Sequence, residues 1–135
     1  MPTLLVIDDQ QGVLDTLVNL LPTYGLAAVG AKSGAAGLAL GETQSIDGAL
    51  VDIHMPGLNG IHVCLELRER AQRQGRDLPV WLMTGSCTTE IRRLAAEAGA
   101  VTVFEKPFDL AELARELKSR LADPVVTVTD SPPAT

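Results

Sequence analysis

Short apolar runs recur along this chain, each followed within a residue or two by polar groups. They alternate with longer segments of helical period. Leu4-Leu5-Val6-Ile7 stops at Asp8-Asp9, and Ala49-Leu50-Val51 stops at Asp52. Pro79 to Met83 stops at Thr84, and Val101 to Phe104 stops at Glu105-Lys106-Pro107. Leu26 to Ala31 is a fifth run, weakened by Gly30 and three alanines. Runs this short suit strands rather than helices, and strand–helix alternation predicts an α/β domain with a parallel sheet. Their continuous apolar character predicts helices on both sheet faces, a doubly wound arrangement of five βα units.

The intervening segments carry helical spacing. Val13, Leu14, Leu17, Val18, Leu20 and Leu21 form one face, closed by Pro22 and Gly25. Ser33 to Gly41 predicts a short helix that Gly34 and Gly37 weaken. Asn59 is placed to cap a helix reaching about Gln74, with Ile61, Val63, Leu65 and Leu67 as its apolar members. Thr88 or Thr89 caps the next, which Gly99 ends. Asp109 with Glu112 resembles a capping box, and Leu110, Leu113, Leu117 and Leu121 recur behind it. From Asp123 the chain turns proline-containing and loses its period. Residues 1–122 therefore read as one domain and 123–135 as a linker or flexible tail, with Val125, Val126 and Val128 as an alternative short edge strand.

Charge and composition exclude several classes. A net charge of −6 argues against direct nucleic-acid binding by this chain, which needs basic groups to neutralise phosphates. No apolar run approaches bilayer length, and Met1-Pro2-Thr3-Leu4 does not begin a secretory signal. Cys64 and Cys87 fit no zinc spacing and read as reduced thiols of a cytoplasmic protein. Trp81, Tyr24, Phe104 and Phe108 are the only aromatics, so the core must rest on Leu, Val, Ile and Ala.

Parallel strands end at one edge of their sheet, where open α/β sheets bind ligands. Asp8, Asp9, Asp52, Thr84 and Lys106 are therefore expected in one cleft. Singly, each has an ordinary reading: a helix cap for Asp8-Asp9, a turn residue for Asp52, a cap for Thr84, a solvated charge for Lys106. Together, at equivalent strand ends, they are better explained as a site. Three clustered carboxylates repel, and a divalent cation relieves that repulsion. Mg²⁺ suits an all-oxygen donor set, and no Cys/His cluster invites a softer metal. A carboxylate beside Mg²⁺ can attack a phosphoryl group, a lysine can balance the phosphoryl charge, and a threonine hydroxyl can donate to it. Gly85 leaves room beside Thr84, and a cis Lys106–Pro107 bond would aim Lys106 into the cleft.

Four motifs carry a family resemblance: Val6-Ile7-Asp8-Asp9, Val51 through Gly60, Leu82-Met83-Thr84-Gly85, and Glu105-Lys106-Pro107-Phe108. Their conjunction, in order, resembles the receiver domain of two-component response regulators over roughly Leu4 to Leu121. The resemblance implies a flavodoxin-like strand order of 2-1-3-4-5. It implies that Asp52 accepts the phosphoryl group and is a stoichiometric acceptor rather than an enzyme acting on a separate substrate. Asp9, Asp52 and the backbone carbonyl of His54 would bind Mg²⁺ directly, with Asp8 acting through a water. Thr84 and Lys106 would contact the phosphoryl group. A sensor histidine kinase or phosphotransfer protein would be the donor. The fourth helix, fifth strand and fifth helix would form the face read by an output domain, another protein or a second copy.

One position departs from the pattern. Many receivers carry an aromatic residue three positions before the site lysine; here that residue is Val103, with Phe104 next to it. Strand alternation sends those two side chains to opposite faces. Two other readings compete. A binding module that keeps the fold without phosphorylation is supported by Val103 and opposed by the complete acid–Thr–Lys set. A phosphohydrolase would need a cap domain or substrate pocket that the sequence does not display.

Overall fold

The computed structural model describes residues 1–121; the expected tail or edge strand from Asp123 lies outside them. Five parallel strands, β1 (Thr3–Ile7), β2 (Ala27–Ala31), β3 (Gly48–Asp52), β4 (Val80–Thr84) and β5 (Val103–Glu105), form one sheet in the order β2-β1-β3-β4-β5. Five helices connect and follow them: α1 (Gln11–Leu20), α2 (Gly34–Thr43), α3 (Gly60–Arg73), α4 (Thr89–Glu97) and α5 (Leu110–Arg120). This is the doubly wound α/β fold, with the flavodoxin-like order expected.

Each sheet face carries its own core, because successive residues of a strand point to opposite sides. Leu5, Ile7, Ala49, Val51, Val80 and Leu82 pack with α2, α3 and α4. Leu4, Val6, Leu50, Trp81 and Met83 pack with α1 and α5. Val103 joins the first core and Phe104 the second, so the two do diverge as alternation requires. Phe104 instead meets Phe108 edge to face, with ring centroids 6.3 Å apart.

Several boundaries follow from local chemistry. The side chains of Ser33, Asn59, Thr88 and Asp109 accept from free N–H groups at the starts of α2, α3, α4 and α5. Gly99 takes φ +84° just past α4. Pro22 and Gly25 act through a 3₁₀ turn over Leu21–Tyr24 that follows α1. The Asp pair does not cap α1; its N-cap is Gln10, which makes no capping bond.

Three expectations are corrected. Leu65 is 48% exposed and Leu20 is 43% exposed, so neither belongs to a buried face. In α3 the buried stripe is Gly60, Val63, Cys64, Leu67 and Ala71, the i, i+3, i+4 pattern; Leu65 falls outside it by one and two positions. The fifth strand begins at Val103, two residues into the apolar run: the Ala100 N–H still closes the turn after Gly99 on Ala95 O, while the Val101 N–H already donates to Val80 O of β4 ahead of the regular ladder. Both cysteines are free thiols, and burial pushes that of Cys64 up to about 11.

Candidate functional site

Asp8, Asp9 and Asp52 each offer a carboxylate oxygen, and these oxygens lie within 4.8 Å of one another. β1 and β3 are hydrogen-bonded neighbours, so their carboxyl ends emerge side by side. Asp8 is fully buried and Asp52 nearly so. Asp8 is pinned at three points. Its N–H donates to Ala31 O at 3.1 Å, its Oδ1 accepts from the Gln10 N–H at 2.9 Å, and its Oδ2 accepts from Lys106 Nζ at 2.8 Å. Asp52 Oδ1 accepts from the His54 N–H at 3.3 Å and Oδ2 from Lys106 Nζ at 3.4 Å.

The β3–α3 loop is drawn tightly under Asp52. The Gly60 N–H donates to Ile53 O at 2.9 Å, and a Cβ on Gly60 would collide with the Asp52 carbonyl. Only glycine permits that approach. Across the site, the Lys106 N–H donates to Thr84 O at 2.8 Å, which ties the ends of β5 and β4 together. The Lys106–Pro107 bond is cis.

The electrostatics of Asp52 are opposed. Burial raises its pKa, and the charge of Asp8 raises it further; Lys106 and the His54 N–H pull it back without cancelling the rise. An ionised Asp52 is thus uncomfortable beside Asp8, which is the electrostatic condition a bound cation relieves. The donors are all oxygens and include no imidazole or thiolate, so the set fits a hard divalent cation.

The cleft itself, about 330 Å³, is lined by Asp9, Gln10, Asp52, His54, Gly85, Ser86 and Lys106. Thr84 is fully buried behind it and engages its own loop: its Oγ1 accepts from the Ser86 N–H at 3.1 Å and lies 3.4 Å from Ser86 O. The expected acids and Lys106 are therefore brought together, whereas the Thr84 hydroxyl faces Ser86. His54 has an exposed side chain and contributes its N–H to Asp52. Gln10 was missed from the sequence. Its Oε1 lies 3.4 Å from Lys106 Nζ, and nothing in its local pattern distinguishes it from an ordinary loop residue.

An acidic cleft beside a strand-end lysine, at the carboxyl edge of a five-stranded sheet with this order, defines a class. Residues 4–118 match the family model described as the response regulator receiver domain, and the chain belongs to that family. It is 34% identical over 130 residues to the transcriptional regulatory protein PrrA of Mycobacterium tuberculosis, covering 96% of this chain and 54% of that protein. It is 32% identical over 118 residues to the response regulator MprA of a Mycobacterium species, covering 87% of this chain and 50% of that protein. The chain thus spans about half the length of the curated relatives it matches. Among solved structures, the Vibrio cholerae chemotaxis protein CheY4 superposes with a TM-score of 0.81 at 23% identity, over 90% of this chain and 99% of that one. The Thermotoga maritima response regulator TrrA, in complex with Mg(2+)-BeF, does so with 0.77 at 27% identity, over 90% and 100%. Among the described residues no helix is long and apolar enough to cross a membrane.

Proposed function

We propose that this receiver domain is a Mg²⁺-dependent phosphorylation switch in which Asp52 accepts the phosphoryl group. The observation that carries this reading is the placement of one ammonium, Lys106, between two buried carboxylates, Asp8 and Asp52, with Asp9 within cation-binding reach. An Asp52 carboxylate oxygen attacks phosphorus. The P–N bond of a donor phosphohistidine, or the P–O bond of a small acyl phosphate, breaks, and its electron pair leaves with the donor. Lys106 is positioned to follow the developing charge onto the phosphoryl oxygens. Thr84 turns its hydroxyl from Ser86 toward the same oxygens, which swaps a main-chain contact for a charged one.

Asp9, Asp52 and the His54 carbonyl would hold Mg²⁺, with Asp8 reaching it through water. The ion supplies charge neutralisation on the phosphoryl group. The solved complex of TrrA with Mg(2+)-BeF supports this by similarity. The domain acts as a stoichiometric acceptor and not as an enzyme on a separate substrate. The protein works in the cytoplasm, and its donor is a cognate sensor histidine kinase or phosphotransfer protein. Residues 1–122 form the switch domain, with 123–135 read as a linker or tail outside it. The α4-β5-α5 face presents the output to a partner domain, a partner protein or a second copy, with no direct nucleic-acid contact by this chain. Val103 leaves no aromatic ring three positions before Lys106 to relay the change along that face.

Incubation with a small radiolabelled acyl phosphate and Mg²⁺ tests the assignment. One phosphoryl group per chain is expected, alkali-labile as acyl phosphates are, with none on Asp52→Asn. Stoichiometric labelling of Asp52→Asn would move the acceptor elsewhere.

A further inference from the structure

Gln10 occupies the N-cap of α1 yet makes no capping bond there. That position favours Ser, Thr, Asp or Asn, and forgoing the cap weakens the helix start. The other long helices of the sheet's connections all use a short capping side chain. What Gln10 does instead is visible in its contacts. Its N–H donates to Asp8 Oδ1 at 2.9 Å, and its side chain turns back so that Oε1 lies 3.4 Å from Lys106 Nζ. Lys106 in turn donates to Asp8 Oδ2 at 2.8 Å. Asp8, Gln10 and Lys106 thus close a ring of hydrogen bonds across the cleft mouth.

An ammonium has three donors and no acceptor. Lys106 directs them at Asp8, Asp52 and Gln10, so Gln10 supplies the third acceptor and the only uncharged one. This matters because the other two acceptors change character when the site is used. Both carboxylates are claimed by the cation and the phosphoryl group, and Lys106 must leave Asp52 without being lost to solvent. A neutral amide oxygen keeps its hold throughout and does not compete with the phosphoryl oxygens for charge. Gln10 and Lys106 also form the wall shared by the acidic cleft and the apolar groove of Val13, Leu17, Pro107 and Phe108.

We propose that Gln10 is a positioning residue for phosphoryl transfer, holding the Lys106 ammonium at the cleft mouth through its side-chain oxygen. This rests on the reading of Asp52 as phosphoacceptor. Gln10→Met keeps the length of the side chain and removes the acceptor. Gln10 is exposed, so the change spares the core.

The experiment measures labelling rates with a small acyl phosphate and Mg²⁺ over a range of donor concentrations. Wild type, Gln10→Met, Lys106→Met, the double variant and Asp52→Asn are compared, with folding checked by circular dichroism. Gln10→Met is expected to slow labelling at saturating donor by roughly tenfold, the loss for one charge-assisted hydrogen bond. The donor concentration at half-maximal rate stays unchanged. In the Lys106→Met background the same substitution is expected to change the rate less than about twofold, because the group it positions is gone. Lys106→Gln serves as the background if Lys106→Met does not fold. A loss of equal size in both backgrounds overturns the proposal, as does an unslowed Gln10→Met when Lys106→Met is slow. If Asp52→Asn labels like wild type, the phosphoacceptor assignment fails, and the role of Gln10 falls with it.

Discussion

Burial and the neighbouring Asp8 raise the cost of a negative charge on Asp52, while Lys106 and the His54 N–H lower it. The net effect is a raised pKa, the reverse of a salt-bridged surface aspartate. A raised carboxylate pKa means that the folded state holds its proton more tightly than the unfolded chain. The stability tied to that proton is full below the unfolded value, near ~4, and is lost as pH rises through the folded value. Asp52→Asn carries no such charge. Without divalent cation, the substituted protein should therefore be the more stable at neutral pH. The gap should close as pH falls through the raised carboxylate value. Urea unfolding of both proteins across pH 4 to 7.5 in a chelating buffer reads this out. A wild type that is more stable at neutral pH without metal would show that the Lys106 pair outweighs burial and Asp8.

The element most undervalued by propensity is α2. Gly34 and Gly37 make it a poor helix by composition, and both earn their place by packing. A Cβ on Gly37 would collide with the Ile7 side chain, and one on Gly34 would come within 2.8 Å of Val63. Gly37→Ala should therefore destabilise by about 1–3 kcal/mol, the range for overpacking, although alanine is the better helix former by up to ~1 kcal/mol. Ser33→Ala should cost about 1 kcal/mol by removing the cap on Ala36. Denaturant midpoints check both, and a stabilised Gly37→Ala would mean that Ile7 rotates aside freely. The helix α3 teaches the complementary lesson. Leu65 is apolar and sits among apolar residues, but its position along the 3.6-residue period turns it outward. Its exposure was legible in spacing and was obscured by counting apolar residues instead. At the β3–α3 loop, Gly60→Ala should disturb the site directly, because the obstacle is the Asp52 carbonyl and backbone cannot swing aside as a side chain can. Loss of labelling together with a lowered melting temperature is expected.

For the whole molecule, the acidic cleft couples metal binding to folding. The carboxylates of Asp8 and Asp52 are 44 residues apart in sequence and meet only in the folded sheet, so the unfolded chain offers no equivalent site. Mg²⁺ at about a hundred times its dissociation constant should add about 2.7 kcal/mol to stability. A melting temperature indifferent to Mg²⁺ in wild type, and equally so in Asp9→Asn, would argue against a cation site. Trp81 adds a second global marker. It is fully buried, and its Nε1 has no hydrogen-bond partner among the described residues. Trp81→Phe should cost less than a comparable loss of buried volume elsewhere, because it also removes an unpaired donor; thermal unfolding measures the difference.

The alternation of apolar runs with helical segments determined the βα repeat, and the polar residue after each run determined which side chains gather at one edge. Both are local signals, set by spacing within a few residues and by the parallel direction of the strands. The strand order came with the family motifs and not from periodicity. Side-chain partners were another matter. Lys106 reaches Asp8 across 98 residues of sequence, Gln10 abandons its helix cap for Lys106, and the Thr84 hydroxyl faces Ser86. Each of those choices depends on which acceptor lies nearest once the sheet has closed, and that distance exists only in the tertiary structure.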